Sequence, residues 1–375
     1  MTNSLDWLTL SMVPGLGLTG YWRLIQTFGG PGAVLQASSA ARGKVPGIRA
    51  EVLKGLADPE PFRQEAVLEL ARLHDMGAEC LAHDDLRYPD LLRQTFQPPP
   101  LLFVQGRLEL LGGNAVAMVG SRAATSYGLR IAETLATGLA GAGLLVVSGL
   151  AMGIDAAAHQ GALQAGGGTI AVLGCGLDVV YPQQNKKLYD QIRADGVLVS
   201  EYPLGTRPDA YRFPARNRII AGLSHGVIVV EAARKSGSLI TAEMALDQGR
   251  EVFAVPGQID SFKSAGTHWL LQQGAKLVHS LDDILEELSL VARVIENGSE
   301  VADDPMADLE PEAAALLAKI EPYAMNRDDL IAISGLSAAR VAELLLLFEL
   351  DGLVEIVPGG GVCRSEYENQ RHETQ

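Results

Sequence analysis

Four segments of this sequence carry side chains of the kinds that can hold phosphate. Gly120-Ser121-Arg122 follows the apolar run Ala115 to Val119, and Arg216-Asn217-Arg218 stands just ahead of Ile219 and Ile220. Ser236-Gly237-Ser238 precedes a helical pattern, and Lys186-Lys187 lies beside Tyr189. A guanidinium forks onto two phosphate oxygens, while the free amides at a helix start favour an anion that glycine lets approach closely. Lysine beside tyrosine suits a single-stranded backbone and its unstacked bases. Gly120, Ser121, Arg122, Lys186, Lys187, Tyr189, Arg216, Asn217, Arg218, Ser236, Gly237 and Ser238 are therefore the candidate anion-binding residues. Each turn alone is ordinary; four of them at strand ends are a specific signal.

Other residues could do chemistry and are better explained by packing. Asp155 and His159 are four apart on one helical pattern, but no Ser or Cys nucleophile stands at a fitting elbow. An Asp at a helix start with a His packed beside it is the preferred account. Glu231, close to Ser236-Gly237-Ser238, would be a catalytic carboxylate in a nucleotide-phosphate-processing enzyme using the same crevice. The plainer role is to accept hydrogen bonds from turn amides or from Arg218. Neither a GxGxxG fingerprint nor a P-loop is present, and Cys80, Cys175 and Cys363 form no CxxC pair. No cofactor or metal is expected, and binding without turnover is the economical conclusion.

Charge at first opposes a polyanionic ligand. The net charge is −15 and the pI about 4.9, which argues against nucleic acid on its own. Remote carboxylates are screened over roughly 8 Å at physiological salt, whereas a direct arginine–phosphate contact is not. Local geometry can override the total. Residues Met1 to Leu10 contain Asp6 and no basic cluster, and no apolar run reaches the roughly 18 residues of a membrane span. A cytoplasmic protein without membrane contact is expected.

The elements that must position these turns alternate. Ala115 to Val119, Leu144 to Ser148, Thr169 to Leu173, Val197 to Ser200, Val227 to Glu231 and Glu251 to Val255 read as strands. Helical patterns Ser126 to Leu139, Ile154 to Ala165, Gln183 to Arg193, Arg216 to Gly222 and Leu239 to Gln248 separate them. This rhythm predicts an α/β domain over 81–290 with a doubly wound, mainly parallel sheet, whose ligands sit beyond the strand carboxyl ends. Before it, Val13-Pro14-Gly15-Leu16-Gly17 and Val45-Pro46-Gly47-Ile48-Arg49 form a degenerate repeat. They suggest a helical SAM or helix-hairpin-helix-like domain over 1–80, the second copy weakened by Arg49 in place of glycine. A linker over 291–311, a winged helix over 312–367 and a disordered tail over 368–375 complete the expectation. The second winged-helix helix carries Glu343 and Glu349 with Arg340, poor chemistry for a major groove.

Taken in order, the motifs resemble the DNA-processing protein A family, also called Smf. They are Val119-Gly120-Ser121-Arg122, Ser148-Gly149-Leu150-Ala151-Met152-Gly153-Ile154-Asp155 with His159, Tyr181-Pro182 with Asn185, Phe213-Pro214 with Arg216 to Gly222, Glu231-Ala232 with Ser236-Gly237-Ser238, and Val255-Pro256-Gly257. The likeness is specific over about Pro89 to Val278. It implies an extended Rossmann-like domain that binds single-stranded DNA, dimerises and loads the RecA recombinase during natural transformation, with no catalysis. It assigns DNA binding to Arg122 and Lys186, with Ser121 and the Arg216 to Arg218 cluster on the same edge. Homodimer contacts would include His268 and Leu277.

Overall fold

The structure, a computed structural model, describes residues 2–288, 311–317, 319–320, 325–350, 353–357 and 361–364. The expected tail over 368–375, and the expected linker up to residue 310, lie outside the described residues. Two compact units divide the chain, Met1–Val291 and Ala292–Gln375.

The first unit opens with six helices: α1 (Thr2–Ser11), α2 (Leu18–Phe28), α3 (Pro31–Gln36), α4 (Ser39–Arg42), α5 (Ala50–Ala57) and α6 (Glu60–Asp75). Both Pro-Gly turns recur in the backbone, with Gly15 and Gly47 each at φ +76°. The last motif position sits at φ −77° in Gly17 and −71° in Arg49, where any residue is allowed. Arg49 therefore leaves the second turn intact.

The sheet follows. Its elements are β1 (Ala78–Ala82), α7 (Asp90–Arg93), β2 (Leu101–Gly106), β3 (Ala115–Val119), α8 (Ser126–Gly141), β4 (Leu145–Ser148), α9 (Ile154–Gln164), β5 (Thr169–Leu173), α10 (Lys186–Asp195), β6 (Val197–Ser200), α11 (Arg212–Gly222), β7 (Gly226–Val229), α12 (Gly237–Asp247), β8 (Glu251–Ala254), α13 (Ala265–Gln272) and β9 (Lys276–Leu277). A helical segment over 282–288 ends the described part of this unit. Strand order is β1-β2-β6-β5-β4-β3-β7-β8-β9. From β6 to β9 every pairing is parallel, and β2 and β1 add on antiparallel.

Parallel strands are buried on both faces, which is why they read as unbroken apolar runs. On β3, Val116 and Met118 pack toward α8 and α9, while Ala117 and Val119 pack toward α11 and α12. Trp7, Leu8 and Tyr21 from the first helices share a core with Phe103, Leu173 and Tyr189. The expected division after residue 80 accordingly falls inside β1, because the first helices cover one face of the sheet.

The second unit comprises α14 (Pro311–Leu317), β10 (Met325–Asn326), α15 (Arg327–Ser334), α16 (Ala338–Leu350), β11 (Val354–Val357) and β12 (Gly361–Arg364). A three-stranded sheet in the order β10-β12-β11 packs with these helices around Leu316, Leu330, Leu345, Phe348 and Val362, giving a winged helix. Arg340 pairs with Glu312 and Glu343.

Candidate nucleic-acid interface

Adjacent strands β3 and β7 lead in opposite directions across the sheet, the first toward β4 and the second toward β8. A crevice outside their carboxyl ends is the usual ligand position in such a sheet. Here it is a cleft of about 460 Å³ lined by Gly120, Arg122, Asp155, Tyr181, Phe213, Arg216, Asn217, Ser236, Gly237 and Ser238, among others. Its floor needs glycine at two points. A Cβ on Gly120 would lie 2.6 Å from Ile154 Cγ1, and one on Gly153, at φ +80°, would lie 2.2 Å from the Ser121 carbonyl oxygen. The crossing is held by the Ser121 amide donating to the Glu231 carbonyl at 2.7 Å and the Ile154 amide donating to the Ser121 carbonyl at 3.2 Å.

The two cleft arginines differ in environment. Arg122 is exposed, its guanidinium 5.5 Å from the centroid of the Phe213 ring. Phe213 in turn meets Tyr181 at 5.2 Å with 30° between the rings, so cation and two aromatics form a continuous platform. Arg216 is 3 % exposed and donates to the Val172 carbonyl. A Cβ on Gly149 would be 2.3 Å from its Nη1, so glycine there makes room for the guanidinium. Burial pulls Arg216 down to about 10, with the Asp155 carboxylate opposing that and Arg122 adding to it. It stays cationic at neutral pH.

Asp155 is buried and accepts from the Gly149 amide at 3.1 Å and the Ala151 amide at 3.4 Å. Burial raises its pKa while Arg216 lowers it. His159 is fully buried, with Nδ1 2.7 Å from Thr169 Oγ1. Burial, reinforced by Arg216, pushes it down to about 3. The two residues have separate partners and form no catalytic pair. The Glu231 carboxylate is likewise committed: Thr125 Oγ1 donates to it at 2.6 Å and the Thr125 amide at 3.2 Å. Thr125 also caps α8, accepting from the Gly128 amide at 3.0 Å.

α11 begins at Arg212, four residues ahead of the expected start, and this sets the cleft wall. Phe213, Arg216, Asn217 and Ile220 fall at helical spacing on one face and all line the cleft. Ala215 and Arg218 fall on another face, lining a separate cavity with residues of α1 and α6. Opposite this wall, Ser236 caps α12, its hydroxyl 2.7 Å from Ser238 Oγ and accepting from the Ser238 amide at 3.3 Å. The Asn217 amide nitrogen donates to the Gly237 carbonyl at 3.4 Å.

Two sequence expectations are corrected by burial and direction. Tyr189 is 3 % exposed and its hydroxyl donates to the Leu177 carbonyl, so it belongs to the core and offers no stacking surface. Arg218 is ion-paired with Glu201 and turned away from the cleft. Arg216 stays among the cleft-lining residues, under the rim rather than on it. Lys186 and Lys187 are exposed at the first turn of α10, outside the cleft lining, with Lys186 Nζ 2.8 Å from Asp190. Sequence reasoning left Phe213 and Tyr181 out of the binding set. Their signal was Phe213 standing three residues before Arg216, visible once the helix is known to include it. His268 Nε2 is 3.1 Å from the Gly257 carbonyl, and Leu277 is 49 % exposed on the edge strand β9.

Residues 79–289 match the family described as DNA recombination-mediator protein A, and residues 300–360 match the DprA winged helix domain. Protein Smf of Escherichia coli is 44 % identical over 303 residues, covering 80 % of this chain and 81 % of that one. The X-ray structure of DNA processing protein A from Streptococcus pneumoniae superposes with a TM-score of 0.65 and 41 % identity, covering 76 % of this chain and 97 % of that one. DNA processing protein A from Helicobacter pylori, solved for insight into its single-stranded DNA binding mode, gives a TM-score of 0.51 and 33 % identity over 56 % of this chain and 95 % of that one.

Proposed function

Because the chain belongs to the DNA recombination-mediator protein A family, we propose that the cleft at β3 and β7 binds single-stranded DNA without regard to sequence. The observation that carries this is the convergence of Arg122, the Phe213–Tyr181 pair and the capped start of α12 on one crevice. A backbone phosphate meets Arg122 and the α12 amides, and an unstacked base lies on the aromatic pair, an arrangement that tolerates any base. Arg216 supplies field from beneath, and Lys186 extends the basic rim. Its exposed pair with Asp190 holds it only weakly.

Binding is the whole activity of the cleft in this proposal. Glu231 and Asp155 spend their oxygens on backbone and Thr125, which favours the binding role over nucleotide-phosphate turnover. The protein acts as a homodimer through a surface containing His268 and Leu277. It delivers the bound strand to RecA, serving DNA uptake, transformation and recombination. The exposed apolar side chain of Leu277 on β9, the edge strand of the sheet among the described residues, supports the dimer.

A mobility-shift titration with oligo(dT) tests the cleft. With about four to six phosphates neutralised, log K falls against log[salt] with a slope of roughly −3 to −4. Arg122→Ala weakens binding by about tenfold or more, and Phe213→Ala weakens it by roughly the stacking of one base, about 1–3 kcal/mol. Wild-type affinity in both variants would remove the cleft from the DNA path. In a RecA filament-assembly assay on single strands, added protein shortens the lag, and Leu277→Arg, by blocking the dimer, diminishes the effect.

A further inference from the structure

Beside the cleft lies a second groove of about 450 Å³, whose lining includes Arg234, Lys235, Ser236, Glu243 and Trp269. Ser236 lines both spaces. They meet at the cap of α12, so a chain leaving the cleft across this cap enters the groove directly. Arg234 and Lys235 are exposed, and among the described residues neither has an ion-pair partner. In this chain of net charge −15, the exposed Arg87, Arg107 and Arg193 each face a carboxylate. Arg49, Lys54 and Arg207 are exposed without an ion pair among the described residues as well, and what marks Arg234 and Lys235 is that two such cations line one groove beside an aromatic. Trp269, on α13, is half-buried and packs its inner side against the sheet core.

We infer that this groove is an outer single-stranded nucleic-acid subsite, in which Arg234 and Lys235 take backbone phosphates and Trp269 takes a base. The inference rests on the cleft being the inner subsite. Two unpaired cations with an aromatic between the same walls are the elements of a stacking platform beside a phosphate track. Glu243 lies about two turns along α12 from Ser236 and repels the backbone from that end. The strand therefore keeps to the Arg234–Ser236 side. No hydrogen-bonding edge of a base is read, so the subsite adds length dependence and no sequence preference.

Oligo(dT) of about four nucleotides, enough for the cleft, is compared with oligo(dT) of about twelve, enough for both subsites. The double variant Arg234→Ala, Lys235→Ala binds the short oligonucleotide as wild type does. It binds the long one about tenfold more weakly, and its salt slope is shallower by about 1.4, the share of two single-strand phosphates. Tryptophan fluorescence is quenched more by the long than by the short oligonucleotide, and Trp269→Phe abolishes the excess, Trp7 and Trp22 being constant background. Equal affinity of double variant and wild type for the long oligonucleotide, or excess quenching that survives in Trp269→Phe, overturns the subsite. Loss of binding at both lengths in Arg122→Ala, alongside that result, leaves the cleft standing. Tight binding at both lengths in Arg122→Ala strikes the cleft itself.

Discussion

Arg122 and Arg216 are the same side chain put to different uses. Arg122 touches solvent and an aromatic face, so Arg122→Ala changes stability by no more than about 0.5 kcal/mol while DNA affinity falls. Arg216 sits under the cleft against Val172 and near Asp155. Arg216→Ala withdraws the donor from the Val172 carbonyl and the cation that favours the Asp155 carboxylate, costing about 1–3 kcal/mol, read from urea unfolding at neutral pH. His159 gives a pH dependence with a definite sign. Its folded-state pKa is about 3, against roughly 6.5 in an unfolded chain. Between those values the unfolded chain takes up a proton that the fold refuses. Stability is complete above about pH 6.5 and drops as acid is added, by up to about 1.4 kcal/mol per pH unit. Urea midpoints at pH 7 and 5 should differ less in His159→Gln than in wild type. The position of Arg122 at a strand end was legible from residue types. The burial of Tyr189 and Arg216 was not, because a tyrosine or arginine on a helix reads the same whether its face meets water or the sheet.

α11 is the element that sorts the chemistry, sending Phe213, Arg216 and Asn217 to the cleft and Ala215 and Arg218 elsewhere. Its early start was hidden by Pro214, which reads as a breaker but is tolerated in a first helical turn where no amide partner is required. The parallel strands were plain as apolar runs between helices. β1 and β2 escaped notice because they lie outside that alternation and join the sheet antiparallel. Two substitutions probe how firmly the elements hold the cleft floor. Thr125→Ala removes both the α8 cap and a partner of Glu231, a loss of about 1–2 kcal/mol. Gly153→Ala forces a Cβ into the Ser121 carbonyl at positive φ, costing upwards of about 1 kcal/mol. Thermal unfolding measures both, and an unchanged midpoint in Gly153→Ala would mean that the Ser121 crossing yields easily.

At the scale of the molecule, a chain of net charge −15 whose cleft and adjoining groove carry Arg122, Arg234 and Lys235 should bind polyanions there and repel them from its acidic surfaces. Ending the chain after Val291 keeps the first compact unit whole. The shortened protein should bind oligo(dT) with the affinity of the full chain, and a mobility shift weakened by more than about threefold would assign the winged helix a share in binding. The Pro-Gly turns at Pro14-Gly15 and Pro46-Gly47 and the linker expected over 291–311 suggested separable parts, but such local patterns do not reveal which apolar faces are covered by which. Trp7, Leu8 and Tyr21 lie in one core with Phe103, Leu173 and Leu198. The opening seventy-five residues thus serve as a roof and not as a detachable module. A chain begun at β1 would emerge with those strand side chains wet, an invitation to aggregate that only a substitute cover, borrowed or redesigned, could withdraw.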